Sequence, residues 1–363
     1  MTSSAIHGYG TITPLYSTES RRVIVMTSTK PPARRLAQLL RVLRSSNGKM
    51  DLRINSPFIG RHFSSEKLSD KYSSAPGPIE RRYMAHLKNM YRLTAAGKDA
   101  VIHTPGLSFE SIDRNGNPLM SSLMRFVTTA RIFATHLPLD DTGSTMFDYA
   151  QLTSDRLTFV ASSQVISEKA LYDTSVPKSP LDVSYHLGYV GKSSLSTVAS
   201  IIVPSTGQII LRNINHIVGA DKTSRRPKAL PDWWREKHGR SATLKNPLIV
   251  PRLQRPNDAV QHNVTVSWIH TDEYNHTNYT TYVDYCINTL HYAIEKGCMG
   301  SLTKEVVKRG IKSMRNSYIG ESLENDELTI WVWTSDQVDR TVHFDVQKLG
   351  QSVFQSTFVY HDE

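Results

Sequence analysis

Residues 270–285 read HTDEYNHTNYTTYVDY, which places three carboxylates, two histidines, two asparagines and four tyrosines just where an apolar pattern of helical period begins. Crowding polar groups ahead of a helix that must bury one face has two physical explanations. The groups cap the loop and the helix N-terminus, whose first backbone N–H groups have no partners within the helix. Alternatively, they build a site where that N-terminus meets a substrate, since the unpaired donors and the helix dipole favour negative charge.

A second stretch, DRNGNPLMSSLMRF (113–126), has the same layout. With Asp113 set on Asp272, Asn117 falls on His276, Leu123 on Tyr282 and Phe126 on Tyr285. Gly116 falls on Asn275, and both residue types tolerate left-handed backbone. The surroundings repeat as well. Strand-like segments rich in Val, Ile, Thr and aromatics follow the first stretch: LTFVASSQVI (157–166), SYHLGYVG (184–191), SSLSTVASIIVP (193–204) and GQIILRNINHIVGAD (207–221). STGQ between the last two marks a hairpin turn. NVTVSWIH (263–270) precedes the second stretch, and ELTIWVWTS (327–335), RTVHFDVQKLG (340–350) and QSVFQSTFVYH (351–361) follow it. A short strand, one long helix and several antiparallel strands, twice over, point to duplication. The expected class is α+β, with each sheet wrapped around a central helix.

The loop residues carry a resemblance. Hotdog-fold acyl thioesterases have D-x-D-x-x-G-H-V-N-N-x-x-Y-(L/V)-x-(Y/F) leading into the central helix, and residues 270–285 resemble it at Asp272, His276, Asn278, Tyr282 and Tyr285. They depart from it at His270, Asn275 and Tyr279, which stand where the pattern has Asp, Gly and Asn. VGADKTSRRPKALPDWW (218–234) is similar to the ending of a unit in these enzymes. Two hotdogs in one chain look like the plant-type acyl-carrier-protein (acyl-ACP) thioesterases. There, fused units replace a homodimer, the C-terminal unit is catalytic and the N-terminal unit shapes the acyl pocket. The resemblance implies two tandem hotdog units that hydrolyse acyl-CoA or acyl-ACP thioesters, with the active loop in the second. The plant enzymes place an Asn two residues after the Asp, whereas this chain has Tyr274.

Thioester hydrolysis needs an activated water or a nucleophile, and donors for the developing oxyanion. Asp272 is the candidate base or nucleophile, with Glu273 ranked below it. His276 either orients the carbonyl or shares the base role, and Asn278 completes the catalytic set at the helix mouth. Pure capping by Asp272 and Asn278 is the competing explanation. Asn275, Tyr279 and Tyr282, with Asp113 and Asn117 from the first copy, are candidate substrate contacts, although core packing and loop structure account for the same residue types. Arg225 and Arg226 lie in a basic run, Lys222 through Lys228, Arg235, Lys237 and Arg240, that suits coenzyme A phosphates or an acidic carrier protein, with a solvated linker as the alternative. No metal or other cofactor is expected, because His, Cys, Asp and Glu do not cluster at ligand spacing. A hotdog hydratase fits poorly, and a non-catalytic hotdog binder or scaffold is the alternative.

The rest of the chain sets bounds. Its 363 residues suffice for a duplicated unit plus extensions, and a net charge of +10 favours polyanionic partners. Nucleic acid is not expected, for want of any binding motif. No apolar run approaches the ~20 residues of a membrane helix, and the chain's two cysteines give no disulfide framework. Residues 1–50 form a leader rich in Arg and Ser whose only acid is Glu19, which resembles a mitochondrial presequence. A cytoplasmic protein with a basic tail is the alternative. The expected organisation is an irregular extension over 51–84, a hotdog unit over 85–230, a basic linker over 231–258 and the second unit over 259–363. The paired unit is expected as a monomer or a homodimer.

Overall fold

The computed structural model describes residues 78–362, apart from 97, 142, 225, 273 and 274. The leader, with its import expectation, lies outside the described residues. In chain order the elements are α1 (Pro78–Leu87), β1 (Arg92–Ala96), β2 (Asp99–Thr104), α2 (Met120–His136), α3 (Tyr149–Thr153), β3 (Arg156–Ser167), β4 (Leu181–Val190), β5 (Ser194–Val203) and β6 (Gln208–Asp221). There follow α4 (Asp232–His238), β7 (Val260–Thr265), α5 (Thr281–Glu295), α6 (Lys304–Lys308), β8 (Ile311–Tyr318), β9 (Glu327–Thr334), β10 (Thr341–Lys348) and β11 (Gln351–Tyr360).

The eleven strands of the described residues form one antiparallel sheet in the order β1-β2-β4-β5-β6-β3-β8-β11-β10-β9-β7. The first half, β2-β4-β5-β6-β3, and the second, β7-β9-β10-β11-β8, have the same topology, and each encloses one long helix. This is the tandem hotdog arrangement. The halves join where β3 pairs with β8, from Ser162↔Ser317 to Ile166↔Ser313.

Burial follows local pattern. Leu123, Val127, Ala130 and Ala134 recur at helical spacing on α2 and are almost wholly buried. Leu328, Ile330 and Val332 alternate along β9 with half-buried or exposed neighbours, as a strand with one covered face requires. β5 instead buries nearly every residue, because it lies mid-sheet with packing on both faces. α2 and α5 touch across the junction: Arg125 donates from Nε to Thr280 Oγ1 at 3.0 Å and pairs through Nη2 with Asp284 Oδ2 at 2.9 Å.

Several sequence expectations need correction. α1 begins inside the stretch expected to be irregular; Pro78 stands at its first position, where the fixed φ and missing N–H are harmless. β1 and β8 were not expected, being short or interrupted by polar residues, and the short strand expected ahead of the first helix, to which no residues were assigned, is β2. NVTVSWIH holds only the end of β7, which stops at Thr265, and a single 3₁₀ turn over Trp268–His270 takes its place. The helix expected near Asn278 starts at Thr281.

The basic linker is also more than a connector. It contains α4, whose Trp234 is fully buried and donates from Nε1 to the Phe147 carbonyl at 2.6 Å. Lys237 Nζ and His238 Nε2 both reach Asp148 Oδ2, at 2.7 and 2.8 Å. These contacts hold Phe147 and Asp148 in left-handed backbone, at φ 62° and 46°, a conformation that non-glycine residues adopt only when their surroundings enforce it.

Trp234→Ala is expected to destabilise the protein by about 3–5 kcal/mol through the cavity and the stranded carbonyl. Trp233→Ala, at a 39% exposed neighbour, should cost far less. Chemical denaturation of both variants measures the difference.

Candidate active site

The two polar loops are built alike, almost atom for atom. In the first, Asp113 N donates to Asn117 O at 2.8 Å, Gly116 N to Asp113 O at 3.1 Å, and Asn117 N to Asp113 Oδ1 at 2.9 Å. In the second, Asp272 N donates to His276 O at 2.8 Å, Asn275 N to Asp272 O at 3.0 Å, and His276 N to Asp272 Oδ1 at 3.1 Å. Gly116 (φ 85°) and Asn275 (φ 61°) occupy the same left-handed corner. A 3₁₀ turn precedes each loop, over Phe109–Ser111 and Trp268–His270. The duplication inferred from sequence therefore extends to the hydrogen bonds.

Asp113 and Asp272 thus share a structural task, closing the loop through one carboxylate oxygen. Where the copies differ, the chemistry differs. Asn117 donates from Nδ2 to the Lys308 carbonyl at 2.8 Å and so ties the first loop to the second unit. His276, at the matching position, is mostly buried and points Nε2 at Glu321 Oε2, 3.3 Å away. Glu321 comes from the connection between β8 and β9. That connection is stitched to the loop by Thr277 N to Ser322 O at 2.7 Å and by Thr277 Oγ1 to Ser322 Oγ at 2.6 Å. Sequence reasoning missed Glu321 because only the pairing of these distant segments brings it to the histidine, and β8, which leads to it, carries a polar pattern.

The remaining predicted residues separate by burial. Asn278 accepts from the Thr280 amide at 3.0 Å and the Thr280 hydroxyl at 2.8 Å through Oδ1, so its Nδ2 end is the one it can present to a ligand. Tyr279 precedes the helix, and its hydroxyl meets Thr128 Oγ1 of α2. Tyr282 lies in the core, stacked on Phe354 at 5.0 Å and bonded to Ser322 Oγ at 2.8 Å, which removes it from the ligand-facing set. Asp272 and Asn275 are exposed at the loop surface.

Arg225 lies outside the described residues. Arg226 stands in the turn after β6; the strand directions put that turn and the β8–β9 connection at the same end of the sheet. Much of the basic run is neutralised locally. Lys228 pairs with Asp155 at 2.9 Å and Asp221 at 3.8 Å, Arg235 pairs with Asp232, and Lys237 with Asp148 at 2.7 Å. Among the described residues no group of three His, Cys, Asp or Glu is placed to hold a metal, and no helix is long and apolar enough to cross a membrane.

No family model matches the sequence, and no curated protein matches it either. Solved structures do match the fold. An acyl-ACP thioesterase from Bacteroides thetaiotaomicron aligns over 73% of this chain and 98% of its own at 13% identity and a TM-score of 0.52. A 12:0-ACP thioesterase from Umbellularia californica aligns over 74% of this chain and 100% of its own at 18% identity and a TM-score of 0.55. Likeness at such identities is a likeness of fold, and it is the fold described above.

Asn275 offers a test of the loop's construction. Asn275→Val is expected to cost about 1–2 kcal/mol, because a β-branched residue is strained at positive φ, whereas Asn275→Gly, which copies Gly116, should leave the melting temperature unchanged or raise it. Thermal unfolding of the two variants reads the contrast.

Proposed function

We propose that the protein is an acyl thioesterase, hydrolysing acyl-CoA or acyl-ACP thioesters at the loop before α5. The observation that carries this is the difference between two otherwise matching loops. The first fills its histidine position with an asparagine that braces the fold. The second fills it with His276, backed by Glu321. The fold has no need of a histidine there, so its presence is best explained by chemistry. The solved neighbours of this fold are named as acyl-ACP thioesterases, which supports the same substrate class.

In this mechanism His276 is the general base, and the Glu321 carboxylate orients its ring and stabilises the imidazolium that forms. His276 takes a proton from water as the water oxygen bonds to the thioester carbonyl carbon. The oxyanion is met at the mouth of α5 by the Asn278 side-chain amide, whose Oδ1 is held by Thr280, with the helix dipole favouring the negative charge. The C–S bond then breaks, the thiolate leaves and takes up the proton held by His276, and the acid is released. Asp272 holds His276 in place through the backbone amide rather than acting on substrate. Arg226, at the same end of the sheet, is suited to phosphate of the carrier arm.

Purified full-length protein should hydrolyse acyl-CoA or acyl-ACP substrates when a range of chain lengths is offered. His276→Ala should lower kcat by about 10²–10⁴-fold. Glu321→Gln should lower kcat with little change in KM, and Asn117→His should not restore activity to His276→Ala. No turnover on any substrate, or full activity in both single variants, rejects the proposal in favour of a hotdog protein that binds acyl thioesters without cleaving them.

A further inference from the structure

The backbone of Asn278 is fixed on both sides: its N–H donates to the His270 carbonyl at 2.8 Å, and its carbonyl accepts from Thr281 N at 2.8 Å. The side-chain amide is the part left to orient, and its two ends differ in chemistry, one accepting and one donating. Only with Nδ2 toward the substrate can Asn278 meet a developing oxyanion. Turned over, it would present a carbonyl oxygen and repel the charge.

The Thr280 hydroxyl decides which way the amide faces. It lies 2.8 Å from Asn278 Oδ1 and 3.0 Å from Arg125 Nε. An arginine N–H can only donate, so the hydroxyl oxygen accepts from Arg125 and its single hydrogen is left for Asn278. The Thr280 backbone N–H reaches the same Oδ1 at 3.0 Å, so two donors converge on one acceptor. An amide turned the other way would set its NH2 group against both. Thr280 has no exposed surface, so its hydroxyl has these partners rather than bulk water. Arg125 is oriented in turn by Asp284, whose Oδ2 accepts from Nη2 at 2.9 Å. The hydrogen bonds therefore run from the first unit into the second, from Arg125 to Thr280 to Asn278.

The first copy shows that the fold does not need this relay. With Asp113 set on Asp272, Leu119 falls on Asn278, Ser121 on Thr280 and Arg125 on Asp284. Leu119 has no polar side chain with which to cap α2, yet α2 forms. Nor does the ion pair account for the arginine. The Arg125 and Asp284 side chains are 50% and 32% exposed, and a pair so placed contributes little. Lysine would serve that pair as well, but only arginine carries a further donor in its stem, where it meets Thr280.

We infer that Arg125 is a positioning residue for the candidate active site. This arginine of the first unit sets the Thr280 hydroxyl, which holds the Asn278 amide with Nδ2 toward the thioester oxygen. The site in the second unit is incomplete without it. The inference rests on the thioesterase proposal for the task of Asn278, but the orientation of the amide is measured without turnover.

Arg125→Lys keeps a charge for Asp284 and places a methylene where Nε stands. In full-length protein it should lower kcat about 10-fold with KM little changed, as expected when one hydrogen bond behind an oxyanion donor is lost. Thr280→Val should lower kcat similarly. The double variant should be no worse than Thr280→Val alone, because both changes act through one hydroxyl. In NMR spectra of protein labelled with 15N-asparagine, the Asn278 side-chain pair, identified by its loss in Asn278→Asp, should move in Arg125→Lys. A merely structural arginine would alter the melting temperature and leave that pair in place. An Asn278 pair that stays put in Arg125→Lys, wild-type kcat in that variant, or additive losses in the double variant each overturn the inference. Should Thr280→Val fail to fold, Arg125→Lys decides by kcat and resonance together. Absence of hydrolysis by the wild-type protein counts against the thioesterase proposal, and the resonance alone then decides whether Arg125 positions Asn278.

Discussion

The antiparallel pairing of β3 with β8 is the interaction on which the rest depends. Either sheet half alone would end there in a row of unpaired backbone donors and acceptors, an edge that proteins must cover or pair. Pairing the two edges turns a duplicated unit into one continuous sheet. It also sets α2 and α5 against each other over a shared inner face, so each polar loop opens beside the neighbouring unit. Asn117 reaching Lys308 and Tyr279 reaching Thr128 are consequences of that one ladder.

Much of this architecture was legible in the sequence, for a physical reason. A sheet wrapping a helix gives strong periodicities, and a duplicated loop gives its own internal control. Asp113 and Asp272, Gly116 and Asn275 could be aligned without any partner sequence, and their hydrogen bonds coincide. What escaped notice was short, polar or dependent on distant pairing. β8 reads IKSMRNSY; it lies mid-sheet at the junction, where its polar Asn316 is buried against Ser163, so the usual apolar signal is missing. Missing β8 meant missing Glu321, since that residue acquires meaning only beside His276.

The comparison of loops also reassigns duties. An aspartate in a polar loop before a helix invites a catalytic role, and Asp272 was the leading candidate on sequence alone. Its twin Asp113 accepts the equivalent backbone amide in a loop with no histidine. The shared contact belongs to the fold. The departure, His276 with Glu321 beside it, is where selection for chemistry can be sought.

The contact between Arg125 and Asp284 carries a further consequence. The two residues occupy matching positions on α2 and α5, and each is the other's partner, so the pseudo-twofold axis passes between them. In a true homodimer, the residue nearest the axis faces its own copy. Two first units would then bring arginine against arginine, and two second units aspartate against aspartate. Only the mixed pair has opposite charges, and although an exposed pair of this kind stabilises little, the like-charged alternatives repel. The chain thereby favours pairing of a first unit with a second unit over pairing of two like units from different molecules.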